Sequence, residues 1–84
     1  MLERRYGWTI EADIHGMRAA EAKHELELLL SRADKNIREI VVIHGYHGGS
    51  ALKDMVRKEL RHSRIQQKIL SLNQGETTLL LKKP

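Results

Sequence analysis

The first residues able to do chemistry together are Asp13 and His15, in the run "ADIHG". Residues two apart on a strand project from the same face, about 6.5 Å apart along the backbone. A carboxylate so placed can orient the imidazole, fix its tautomer and raise its basicity. A second cluster lies in "VVIHGYHGGSALKDMV", where an apolar run stops at His44 and passes through Gly45, Tyr46, His47, Gly48, Gly49 and Ser50 into a helical pattern. Glycines let backbone amides approach a phosphate closely, and Ser50 suits the N-cap of a helix whose positive end attracts anions. The loop has neither the Gly-Lys-Ser/Thr ending of a P-loop nor the spacing of a dinucleotide-binding loop. A third group is basic: Lys53, Arg57, Arg61 and Arg64 recur at helical spacing, with Lys58 and Lys68 close by, as expected of a stripe that follows a phosphate backbone. Each group also has an ordinary structural explanation: a solvated strand end, a tight strand-to-helix turn and a solvated helix face.

The surrounding pattern supplies the elements that must position these groups. "WTIEADIH" alternates, with Trp8, Ile10, Ala12 and Ile14 on one side, which is the period of a half-buried strand with Trp8 in the core. Ala22, Leu26, Leu29, Leu30 and Ala33 then fall at steps of three and four, predicting a helix over 19–33. Ile40 to Ile43 form an apolar, β-branched run suited to a central strand. Leu52, Met55, Val56 and Leu60 mark a second amphipathic helix, and "KILSL" and "TTLLL" flank "NQGE" as a hairpin. Met17 and Met55 are expected to pack, His24 and His62 to be solvated on helices, and Tyr46 to stack on a base or cover the turn. The expected fold is α/β: a two-layer α/β sandwich in the order βαβαββ, with a four-stranded mixed sheet covered on one face by two helices. Residues 1–6 are expected to be a short tail and 7–83 a single domain. With the first two strands parallel, His15 and His44 should emerge at the same sheet edge.

Composition narrows the chemistry. The chain has 84 residues, too few for more than one core, and no cysteine, which excludes disulfides, thiolate metal sites and a thiol nucleophile. Its apolar runs are shorter than a membrane span needs, and "MLERRYGW" lacks the apolar stretch of a signal peptide, so a soluble, cytoplasmic protein is expected. Net charge is +4, but residues 1–43 carry seven Lys/Arg against eight Asp/Glu and residues 44–84 carry eight against three. A basic C-terminal half suits a polyanionic partner.

"DIHG" after a strand, a histidine–glycine pair followed by a glycine-containing loop and "ALKDMV", and the closing "GETTLLL" together resemble the Smr (small MutS-related) domain in its short stand-alone form. The likeness runs from Trp8 to Leu81. It implies a fold similar to the C-terminal domain of bacterial translation initiation factor three, and endonuclease activity, including nicking, on DNA or RNA. It also implies that Asp13, His15, His44 and Gly45 are the functional positions. Ala12 stands where the family often has leucine. Tyr46 and His47 occupy a loop that resembles the family's histidine-glycine-lysine-glycine-x-glycine but is one residue longer and lacks the lysine.

The resulting expectation is an endonuclease. Asp13 orients His15, His15 transfers a proton or binds a divalent ion (magnesium or manganese), and His44 with the Gly45–Ser50 amides holds the scissile phosphate. A non-catalytic module binding nucleic acid or a ribosomal surface is the alternative, and a protein-interaction adaptor the third. A monomer is the expected state, with no membrane partner.

Overall fold

The computed structural model describes residues 1–45 and 49–83. The elements run β1 (Leu2–Tyr6), β2 (Thr9–Asp13), α1 (Ala19–Arg32), β3 (Glu39–Ile43), α2 (Ala51–Asp54, continuing as a π-helical segment Met55–Glu59), β4 (Ile65–Leu70) and β5 (Glu76–Leu81). The sheet has five strands in the order β1-β2-β3-β5-β4, one more than expected. The extra strand is Leu2–Tyr6, where a tail was anticipated. It pairs antiparallel with β2, from Leu2 opposite Asp13 to Tyr6 opposite Thr9. Its sequence hides it, because all five residues are exposed and so leave no apolar alternation to read. On its covered side Arg5 reaches Asp34 at 2.7 Å and Glu3 accepts from Arg32 at 2.5 Å, so ion pairs to the end of α1 stand where apolar contacts would. The β1–β2 connection is the pair Gly7–Trp8 with φ +58° at Gly7, the positive angle that a tight hairpin with glycine first requires.

β2 and β3 are parallel and joined by α1, whose buried Ala22, Leu26, Leu29 and Leu30 are the residues the helical spacing marked. β3 pairs antiparallel with β5, and β5 with β4, so β5 lies inside the sheet and the edges are β1 and β4. Ile10, Ala12 and Ile14, Ile40 and Val42, and Leu79 and Leu81 face the helices and pack on Leu26, Leu29, Leu30, Met55, Val56 and Leu60. Every apolar member of this core is aliphatic or methionine. Trp8, expected within it, is 57% exposed in the hairpin turn. The opposite sheet face, with Glu11, Val41 and Thr78 in one row, carries only partly buried side chains. Among the described residues no helix is long and apolar enough to cross a membrane.

The second helix ends sooner than the basic stripe required. Leu60 N–H donates to Met55 O at 2.7 Å, closing a π turn, and Leu60 leaves helical geometry. Lys68 Nζ, on β4, donates to Leu60 O at 2.6 Å and to Arg57 O at 3.4 Å, so a cation meets the carbonyls that the last turn leaves unpaired. Arg61 and Arg64 therefore lie beyond the helix, not on a continuing helical face.

Candidate functional site

Parallel pairing of β2 with β3 puts Asp13 opposite Ile43, and the pairing continues one residue further where Ile14 N–H donates to Ile43 O at 2.9 Å. His15 and His44 thus leave the sheet at the same edge, as the topology implied. At Gly45 the two segments come close: a Cβ placed on it would lie 3.6 Å from His15 Cβ. With φ +75°, Gly45 also adopts a conformation that a side chain disfavours, so its glycine serves the turn. His44 N–H and Gly45 N–H both donate to Gly75 O, at 2.9 and 3.0 Å, which anchors this corner to the β4–β5 turn.

Asp13 and His15 form a tight pair. His15 Nδ1 donates to Asp13 Oδ1 at 2.5 Å, and the backbone N–H of His15 donates to the same oxygen at 3.1 Å. Partial burial works to raise the Asp13 pKa, but the side-chain and backbone hydrogen bonds from His15 outweigh it and hold the carboxyl below its ordinary value. The carboxylate therefore stays ionised and fixes the hydrogen on Nδ1. Nε2 has no partner among the described residues, and the His15 side chain is 69% exposed.

His44 has the opposite surroundings. It is 3% exposed. Gly45 O, 2.9 Å from Nδ1, can only accept, so Nδ1 carries the hydrogen and Nε2 of the neutral ring accepts. Its donor is Thr77 Oγ1, at 2.9 Å, and that oxygen in turn accepts from Arg57 Nε at 2.8 Å. The guanidinium also donates to Glu76 O at 2.9 Å. Burial pushes the His44 pKa down; the Gly45 hydrogen bond opposes this, while the charges of Arg57 and Lys53 add to it. The ring is thus a neutral bridge from the corner to β5 and α2. Both ring nitrogens and the backbone amide of His44 are thus engaged within the protein.

The remaining candidates separate into groups. Arg57 is bound in the His44 chain, Lys68 caps α2, and Arg64 donates to Ala33 O, Asp34 O and Ile37 O, closing the C-terminal end of α1. Burial lowers the Lys68 pKa, assisted by the charge of Arg61. Lys58 is exposed and 3.9 Å from Asp54, a weak pair one helical turn apart. Lys53 and Arg61 make no side-chain hydrogen bond or ion pair among the described residues, and Lys53 is close enough for its charge to act on His44. Gly49 and Ser50 precede α2; Ser50 occupies the N-cap position without a side-chain cap bond, and its carbonyl accepts from Asp54 N–H at 2.7 Å. Tyr46, His47 and Gly48 lie outside the described residues. His62, expected to be solvated on a helix, follows the helix and meets Ser31 Oγ through Nε2 at 3.0 Å.

Thr77 and Gly75 were not singled out from the sequence. Thr77 had a readable signal: it shares the inward parity of Leu79 and Leu81 and is fully buried, and a hydroxyl at a core position needs partners. Among the described residues no three His, Asp or Glu side chains gather to hold a metal. Asp13 supplies one carboxylate, which suits magnesium, an ion commonly held by one or two carboxylates together with substrate phosphate oxygens.

The Smr domain family model matches residues 12–78, and the chain belongs to that family. In its solved form, the crystal structure of the Smr domain of Thermus thermophilus MutS2 is similar at 27% identity and a TM-score of 0.75, over 86% of this chain and 96% of that one. None of the curated proteins compared with the chain matches it significantly.

Proposed function

We propose that this protein is an endonuclease that cleaves phosphodiester bonds of DNA or RNA at the edge formed by the ends of β2 and β3. The observation that carries the reading is the Asp13–His15 pair. A 2.5 Å hydrogen bond fixes Nδ1–H and leaves an exposed Nε2 beside the Gly45 corner. His15 Nε2 takes the proton of the attacking hydroxyl, from water or a ribose, and Asp13 stabilises the imidazolium that forms. The P–O bond to the leaving oxygen breaks as that oxygen is protonated by solvent or by the imidazolium. Lys53 and the Gly49–Ser50 approach to α2 supply the positive surface for the phosphate, with Lys58 and Arg61 as outlying contacts. Asp13 would be the residue to hold a magnesium or manganese ion, which would supply charge to polarise the phosphoryl group. His44 acts as a positioning residue, because its ring holds Gly45 against His15 without touching substrate. Membership of the Smr family supports the nucleic-acid reading, and a cysteine-free chain suits a reducing cytoplasm.

The test is a cleavage assay of the protein beside His15→Ala on supercoiled plasmid and on a structured RNA, with magnesium, manganese or chelator. Cleavage by the parent and loss in the variant is the expected result. Binding by both without cleavage by either would replace the enzyme with a nucleic-acid or ribosome-binding module. Binding to neither would favour a protein adaptor.

A further inference from the structure

At the opposite end of the sheet the chain builds a second feature that cleavage at Asp13 and His15 does not use. A concavity of about 570 Å³ is lined by Trp8, Lys35, Asn36, Arg38, Lys82 and Lys83 among others. No lining residue is acidic, and none of the four cations pairs with a carboxylate among the described residues. Trp8 is the only tryptophan of the chain and is 57% exposed. It is also held in place. Its carbonyl accepts from Arg38 N–H at 2.8 Å, and the Arg38 guanidinium carbon lies 4.9 Å from the centre of the indole. Arg38 O accepts from Leu81 N–H at 2.9 Å, so hydrogen bonds join the turn, the start of β3 and the end of β5 into one floor.

We propose that this floor binds an unpaired nucleotide of a single strand, with its base stacked on Trp8 and its neighbouring phosphates neutralised by Lys35, Lys82 and Lys83. Three properties select that ligand. An exposed aromatic that its own fold holds still can receive a base without first being ordered, and base–aromatic stacking is indifferent to sequence. The volume falls within the range of small-molecule sites, enough for a nucleotide. Arg38, the one side chain able to grip a carboxylate with two parallel bonds, already lies over the indole; the other cations are lysines, point charges suited to successive phosphates. Because a paired base has no free face, the site selects single strands or frayed ends. It extends the nucleic-acid reading of the other edge but does not require cleavage there. β2 separates the two regions, and a strand of five residues spans about 17 Å.

The sole tryptophan reports on its own site. Using His15→Ala so that no strand is cut, intrinsic fluorescence is titrated with a thymidine 12-mer and with an abasic 12-mer of equal phosphate count, while anisotropy of labelled strands records binding separately. The thymidine strand is expected to quench Trp8 strongly and the abasic strand weakly. Trp8→Ala should weaken anisotropy-detected binding about ten-fold, and Lys82→Ala and Lys83→Ala should each lower the salt slope by about 0.7. Binding without quenching, or equal binding by Trp8→Ala, would overturn the proposal. So would polyglutamate that quenches as well as the strand, which would make the floor an acidic-peptide dock. Quenching in a protein whose parent cleaves nothing would sink the nuclease and leave this site standing.

Discussion

His15 and His44 follow neighbouring strands one residue apart in register, with Gly45 close beside His15, yet the fold treats them oppositely. The difference comes from what lies on each side of the sheet edge. Asp13 belongs to the partly open face and bonds the side chain of His15, just past the end of β2. His44 lies against β5 and α2, where Thr77 and Arg57 complete a chain of donors and close it from solvent. A histidine with a hydrogen on one nitrogen fixed by a carboxylate and the other nitrogen in water can exchange protons. A histidine with both nitrogens satisfied internally can only hold geometry. Under the proposed function the "H-G" and "D-x-H" motifs divide the labour, one placing the corner and the other offering the reactive atom.

The widest separation between the two should appear in paired alanine variants. His15→Ala should lose about 100-fold or more in cleavage while its urea midpoint stays within experimental error of the parent. His44→Ala should lower stability by about 2–4 kcal/mol, since the buried Thr77 hydroxyl loses its acceptor and the missing ring leaves a cavity. A stable, inactive His44→Ala would reverse the assignment and put His44 in the chemistry. Next in size, Asp13→Asn should cost about 10- to 100-fold in cleavage, because an amide cannot stabilise the imidazolium. If it retained full rate, the carboxylate would be incidental to His15.

Thr77→Val tests the buried chain alone. The side chains match in shape, but Nε2 of His44 and Nε of Arg57 lose their shared hydroxyl, and chemical unfolding should register about 1–3 kcal/mol of destabilisation. A change near zero would mean that water replaces the hydroxyl.

The comparison also has a pH signature. His44 is held neutral by burial, so its folded pKa lies below the unfolded value of about 6.5. Its contribution to stability is fully present above the unfolded pKa and is lost as pH falls toward the folded one, because only the unfolded chain accepts the proton. Urea midpoints should therefore decline between about pH 7.5 and 5.5 more steeply in the parent than in His44→Gln. Equal slopes would place the titration elsewhere. The smallest effect belongs to Lys58, whose exposed contact with Asp54 should leave stability within about 0.5 kcal/mol in Lys58→Ala.

Much of this arrangement is legible in the sequence. Alternation in β2 and the spacing of Leu26, Leu29 and Leu30 located the inward faces, since burial against one layer leaves a periodic trace in the chain. Parallel pairing then required His15 and His44 to share an edge. β1 was not legible, because its covered side is made of Glu3 and Arg5, paired with Arg32 and Asp34, and such charges read as a tail. Trp8 kept the parity of a core residue but fell in the two-residue turn, where parity no longer points to the core. The basic stripe illustrates the same limit. Basic side chains from one short stretch became a buried link at Arg57, a helix clamp at Arg64, a cap at Lys68 and solvent-facing charge at Lys58.

The sequence by itself determined the layers, the two helices and the meeting of the Asp-x-His and His-Gly segments, because these follow from local periodicity and the handedness and direction of chain crossings. Only the tertiary structure decided which histidine is open, which cations are free and which hydroxyl completes the corner. Those outcomes depend on residues distant in sequence, such as Thr77 beneath His44 and Ala33 beneath Arg64. A hydrogen bond between them exists only once the sheet and helices have closed.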